Sequence, residues 1–266
     1  MQNLRYVGNN LFVEKLSIKN ILKKNKTPFY IYSESQIAFN FLKFANTFKK
    51  TDPLICFAAK SNSNLNILRV LGKLGAGADV VSGGELLKAL KAGIRPNKIV
   101  FSGVGKTEEE LKIAINKKIL LINCESESEA KLVNNLAKKL RKKVSIGFRL
   151  NPNVDAKTHK NISTGKAENK FGLSIKNFKV FLKKVKSFKN VKLDALSVHI
   201  GSQILNDAPF RKTLNVMSKL IKELKLNLKY VDLGGGFGIN YSDKEKPINL
   251  SKYSKLVHNF SKKLNC

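Results

Sequence analysis

Short apolar runs alternate along the chain with longer stretches in which apolar residues recur at helical spacing. Eight runs read as strands: "PFYIYS" (28–33), "PLICFAA" (53–59), "ADVVS" (78–82), "KIVFSG" (98–103), "ILLINCES" (119–126), "VSIGFRL" (144–150), "LDALSVHIG" (193–201) and "KYVDLGGG" (229–236). They are apolar on both faces, as the strands of a parallel sheet covered by helices must be. Between them lie helical patterns. One carries Leu65, Leu68, Leu71 and Leu74 and then a glycine stop. A second starts after Ser82 with Glu85 three residues on, which predicts a capping box, and ends at Gly93. A third has Thr107 as its N-cap, acidic residues in the first turn and lysines in the last, matching the helix dipole.

Repeated βα units with no break in composition predict an α/β fold, and a (β/α)8 TIM-type barrel more than an open doubly wound sheet. No Gly-rich GxGxxG turn follows the first strand, as the doubly wound alternative would require. One segment interrupts the rhythm. The polar stretch "NPNVDAKTHKNISTGKAENKFG" (151–172) follows the C-terminal end of a strand, where barrel active sites are built, and reads as a lid.

Composition narrows the function classes. At 42% apolar residues the chain can bury a core. No stretch approaches the roughly 20 apolar residues of a membrane span, and the N-terminus lacks the charged-then-apolar pattern of a signal peptide. Cys56, Cys124 and Cys266 form neither a disulfide framework nor a CxxC metal site, so a soluble, reducing, cytoplasmic setting without a metal is expected. A net charge of +31 raises nucleic acid as a partner. Only six of the 50 basic residues are Arg, the usual residue for bidentate recognition, and the lysines are spread along helix faces. Solvated helix faces are the plainer reading, with no nucleic acid and no membrane as partners.

In a barrel the strand ends face the catalytic mouth. Here they bring Lys60, Asp79 to Ser82, Ser102, Gly103, Asn123, Arg149, His199 to Ser202 and Gly234 to Gly236 to one rim. Lys60, after "CFAA", is expected to be partly desolvated, which lowers a lysine's pKa and frees its amine as a Schiff-base nucleophile. Taken alone it also reads as a snorkelling surface residue. "HIGS" (199–202) adds an imidazole and a hydroxyl; the other histidines are His159, in the polar segment, and His258. "GGGFG" (234–238) offers consecutive backbone N–H groups, a nest for a phosphate or simply a tight turn. A lysine, a stacking ring and a phosphate cradle on one rim together point to pyridoxal phosphate.

The segments 57–93, 98–111 and 149–172, with "HIGSQI" (199–204) and "VDLGGGFGI" (231–239), resemble in colinear order the diaminopimelate decarboxylase branch of the alanine-racemase-like pyridoxal phosphate barrels. The likeness runs from about residue 8 to the last residue, and "DAKTHKNISTG…NKFG" is its most specific block. It implies that Lys60 carries pyridoxal phosphate through a Schiff base and that His199 stacks on the ring. Ser202 with Gly234, Gly235 and Gly236 binds the phosphate. Asp79 lines the cofactor, and Glu85, Arg149 and His159 line the pocket. The implied reaction is a carboxy-lyase step of lysine biosynthesis, decarboxylation of meso-2,6-diaminopimelate to L-lysine, by a homodimer acting on a small amino acid. The alternatives are a sister decarboxylase for ornithine, arginine or carboxynorspermidine, and a non-catalytic paralogue.

The sequence also departs from that family. The Glu-Pro-Gly-Arg motif ending the family's eighth strand and the Cys-Glu motif of its second domain do not occur. By resemblance, 28–33 is the strand that crosses into the barrel, which leaves seven barrel strands. The expected arrangement is therefore residues 1–27 on the β-domain side and 28–266 as an incomplete barrel, truncated before the eighth strand and the C-terminal β-domain. Such a fragment is expected to lack efficient decarboxylation.

Overall fold

A computed structural model describes residues 3–156, 163–165, 171–242 and 246–266. The chain begins with an antiparallel sheet of β1 (Leu4–Val7), β2 (Asn10–Val13) and β3 (Leu16–Ser17), whose first turn is the two-residue Gly8-Asn9. Short α1 (Ile18–Leu22) follows, then α2 (Glu34–Thr47), capped by Ser33. Glu14, between β2 and β3, accepts hydrogen bonds from Ser33 Oγ at 2.6 Å and from Ser35 N at 3.0 Å, pinning the small sheet to the start of α2.

The main sheet is parallel and runs β4 (Cys56–Ala58), β5 (Gly77–Val80), β6 (Ile99–Phe101), β7 (Leu121–Cys124), β8 (Val144–Asn151), then β10 (Val191–Val198) and β11 (Tyr230–Asp232). The two-residue β9 (Leu173–Ser174) pairs with the end of β8. Each strand of the main sheet feeds a helix: α3 (Leu65–Lys73), α4 (Gly83–Lys91), α5 (Glu108–Lys117), α6 (Glu127–Lys139), α7 (Ile175–Ser187), α8 (Ala208–Glu223) and α9 (Leu250–Leu264).

Seven of the eight strands expected from sequence are present. The exception is 28–33, which pairs with no described strand; Tyr30 and Tyr32 are exposed. Its aromatic and β-branched side chains favour a strand, but a strand forms only where its backbone groups find a neighbour. The capping expectations hold in part. Thr107 and Glu110 form a reciprocal capping box at α5. Ser82 accepts from Glu85 N, whereas the Glu85 carboxylate accepts from Val81 N instead of returning to Ser82, so the α4 box is half made.

Leu68, Leu86, Leu111, Leu136 and Phe178 are fully buried on the helix faces turned to the sheet. Burying such a side chain contributes about 1.5–3 kcal/mol. Phe148 of β8 meets Phe181 of α7 edge-on at 5.2 Å. A second aromatic group joins the two ends of the fold. Phe48, just after α2, packs against Tyr253 of α9 at 5.9 Å, and Phe237 lies 5.2 Å from Tyr253. The helix before the first strand of the sheet thus touches the helix after its last, so the sheet is curled like part of a barrel. It is not closed: among the described residues β4 and β11 each have one neighbour.

Candidate active site

The C-terminal ends of the parallel strands converge on one rim. Asp79 of β5 accepts from Ser102 Oγ, just past β6, at 2.6 Å. Asn123 of β7 donates through Nδ2 to Ser102 Oγ at 3.3 Å and to Asp232 Oδ2 of β11 at 3.1 Å. Ser197 of β10 donates to the same Asp232 oxygen at 2.9 Å, and Gly234 N donates to Oδ1 at 2.8 Å. A polar chain therefore crosses the barrel interior from β5 to β11.

Burial, the largest influence, pushes the Asp79 carboxyl up to about 6. The Ser102 hydrogen bond opposes the shift, the Asp232 charge adds to it, and Lys60 and Arg149 pull it down. His199, directly after β10, is lowered to about 4 by burial first and then by the positive charges of Arg149 and Lys60. It is a neutral ring at neutral pH. Its Nδ1 accepts from Gly235 N at 3.4 Å, which ties it to the glycine turn.

That turn needs glycine at two of its three positions. Gly234 and Gly236 have φ of +65° and +90°. A Cβ on Gly236 would lie 1.9 Å from Gly201 O and 3.3 Å from Ser202 Cα, so the turn and the "HIGS" segment are in contact. A Cβ on Gly235 would meet nothing within 4 Å. Gly93 has the same φ of +90° with open space around it. Gly93→Ala therefore carries only the backbone penalty of about 1 kcal/mol, and Gly236→Ala is expected to cost about 1 kcal/mol more because the Gly201 carbonyl must also move. Urea unfolding measures both; equal losses would show that the turn relaxes freely.

Lys60 sits on a 3-10 turn (Ala59–Ser61) at the exit of β4, at the same rim. It is exposed, not partly desolvated as its apolar approach predicts. Its strand is at the open edge of the sheet, where among the described residues no further strand shields the amine. Arg149 of β8 reaches Glu125 Oε1 at 3.2 Å and lies 4.9 Å over the Phe171 ring. Glu125 Oε2 also accepts from Gly172 N, so this pair fixes the end of the polar segment. Ser202 is exposed beside the glycine turn. Glu85 serves the β5–α4 junction, and no described contact joins it to the other candidates. His159 and half of the proposed lid lie outside the described residues. Of the segment's described part, Thr164 packs on the β10 exit, its Oγ1 donating to His199 O at 2.7 Å.

Asp232 and Ser197 were not singled out from sequence, nor was Lys106. The Lys106 ammonium is buried against Glu129 at 2.6 Å and the carbonyls of Gly103 and Asn123. An Asp two residues before a glycine turn is an Asx-type acceptor, the one local signal that points to Asp232.

Residues 34–265 match the model of the family described as pyridoxal-dependent decarboxylase, pyridoxal binding domain. The chain belongs to this family. A diaminopimelate decarboxylase of Aquifex aeolicus is 42% identical over 91% of the chain. A solved diaminopimelate decarboxylase of Helicobacter pylori, complexed with L-lysine, superposes with a TM-score of 0.87 at 40% identity, over 92% of this chain and 62% of that one. The enzyme of M. jannaschii, also in complex with L-lysine, gives 0.89 at 34% identity over 99% of this chain and 63% of that one. The chain spans 58% of the length of the Aquifex relative. As a member of this family it has a parallel barrel architecture, here as a curled sheet of seven strands. Among the described residues no helix is long and apolar enough to cross a membrane.

Proposed function

We propose that the chain is the pyridoxal-binding part of a decarboxylase that converts meso-diaminopimelate to L-lysine. The observation that carries this is the convergence of Lys60, neutral His199 and the Gly234–Gly236 turn on one rim, in a chain whose relatives are diaminopimelate decarboxylases. The residues fit pyridoxal phosphate. An exposed amine is available for its aldehyde, a neutral flat ring can lie on its pyridine face, and the glycine turn has open space over Gly235 where a side chain would otherwise project. When bound, the cofactor supplies an electron sink for the pair left by the departing carboxyl group.

The chain's own residues do the rest. Lys60 attaches the group, and the glycine turn with Ser202 holds the phosphate. His199 presents an uncharged face, so it adds no cationic repulsion beside Arg149. Asp79 offers a carboxyl that gains or loses a proton near pH 6. Orientation of the scissile bond across the ring plane is the main contribution expected of such a pocket. Glu85, Arg149 and His159 are the proposed pocket residues.

We also infer that residues 1–27 belong to the side of a β-domain. The antiparallel β1–β3 sheet stands apart from the parallel one and exposes Leu4, Tyr6 and Leu16, which supports that assignment. A cytoplasmic homodimer is proposed on the family resemblance. The test is carbon dioxide release by the full gene product from meso-diaminopimelate, ornithine and arginine. Faster release from ornithine or arginine would replace the proposed substrate.

A further inference from the structure

Asp232 is the acceptor for three donors on three different segments, Asn123 of β7, Ser197 of β10 and Gly234 of the glycine turn. The bond from Asn123 passes over β8 and β10, which lie between β7 and β11 in the sheet. The sequence makes room for it. In register with Asn123 the two intervening strands carry Gly147 and Ala195. A Cβ on Gly147 would stand 2.4 Å from Asn123 Oδ1 and 3.1 Å from the Ala195 Cβ. At its other hydrogen, Asn123 Nδ2 bonds Ser102, which spends its own hydroxyl proton on Asp79. Every proton in this chain therefore points toward one of the two carboxyls.

We propose that Asp232 is a positioning residue that sets the glycine turn with one oxygen and, through Asn123 and Ser102, the Asp79 carboxyl with the other. The turn half rests on the pyridoxal reading above; the Asp79 half does not. The charged groups facing Asp79 are Asp232, Lys60 and Arg149, with the Cys56 thiol on β4 beside them. Neutralising Asp232 removes the negative neighbour, so Asp79 ionises at lower pH. Removing the Ser102 hydroxyl takes away a bond that favours the ionised form, so Asp79 ionises at higher pH.

The experiment uses the 266-residue chain, with Asp232→Asn as the main variant. An amide has one oxygen and one NH2 group where the carboxylate has two oxygens, so at least one of the three donors is opposed by another donor. Binding of pyridoxamine 5′-phosphate, which carries the phosphate and ring but no aldehyde, reads the turn. Carboxyl carbon NMR, with the Asp79 signal assigned by its loss in Asp79→Asn, reads the other end. Asp232→Asn is expected to weaken binding about tenfold, the size of one hydrogen bond to a charged group, and to move the Asp79 midpoint down; Ser102→Ala is expected to move it up. Binding within about twofold of wild type, or an unmoved Asp79 midpoint, overturns the proposal. Should wild type take up no pyridoxamine 5′-phosphate, the pyridoxal reading falls, and the Asp79 titration alone decides the positioning role. If Asp232→Asn does not fold, Ser197→Ala and Ser102→Ala take its place: unchanged affinity in the first or an unmoved midpoint in the second overturns it.

Discussion

Borohydride treatment of the chain in the presence of limiting pyridoxal phosphate is expected to add a phosphopyridoxyl group at Lys60, and Lys60→Ala is expected to lose that labelled position entirely. The chain has 44 lysines, so any labelling at all would mean little. Selectivity is the informative quantity. Most lysines lie on helix faces and meet the aldehyde only by free collision. Lys60 shares a rim with the glycine turn and with His199, so a phosphate held there keeps the aldehyde within reach of one amine. Holding reactants together replaces a bimolecular encounter by an intramolecular one, and even a loosely held pair gains more than about a hundredfold. Peptide mass spectrometry of wild type measures the preference directly. Lys60→Arg is the sharper control, because it retains the charge beside Asp79 and His199 and loses only the nucleophile. Label spread over the surface lysines with no excess at Lys60 would sink the assignment.

The parts of this site differed in how well the sequence displayed them, for physical reasons. Strands buried on both faces, such as β7 and β8, are continuous apolar runs, and that pattern survives in one dimension. Strands β1 and β2 escaped because they are short, β1 exposed and β2 half-buried along its whole length, so no buried face marks them. Segment 28–33 failed in the opposite way: its side chains favour a strand, but pairing is a tertiary event. Lys60 and His199 were placed correctly at strand exits, yet the exposure of Lys60 depends on what lies beside β4. Asp232 was hidden inside "YVDL", where an acid in an apolar run reads as an interruption. Its meaning comes from Asn123, 109 residues away in sequence, and from the missing side chain of Gly147.

The two perturbed groups at the rim are expected to give opposite pH dependences of stability that cancel in the wild type and separate on mutation. His199 has a folded value of about 4 against 6.5 when free. Between those values the unfolded chain binds a proton that the folded chain refuses, so this contribution is complete above pH 6.5 and is lost as pH falls toward 4. At 1.36 kcal/mol per unit the loss is about 3 kcal/mol. Asp79 has a folded value of about 6 against 3.8 when free. Here the folded chain keeps a proton that the unfolded chain releases, so stability is complete below 3.8 and is lost as pH rises to 6, again by about 3 kcal/mol. Asp79→Asn leaves His199 alone, and its unfolding free energy should rise by about 3 kcal/mol from pH 4 to 6.5. His199→Gln leaves Asp79 alone, and its stability should fall by a similar amount from pH 4 to 6. Carboxylates held below their usual range, Glu14 and Glu110 among them, titrate identically in both variants, so the difference between the two curves isolates the pair. Urea unfolding followed by circular dichroism at half-unit steps is sufficient. Parallel curves would mean that the rim is wetter than its packing shows, and that neither a neutral His199 below pH 6 nor a protonated Asp79 above pH 4 belongs in the working state of the site.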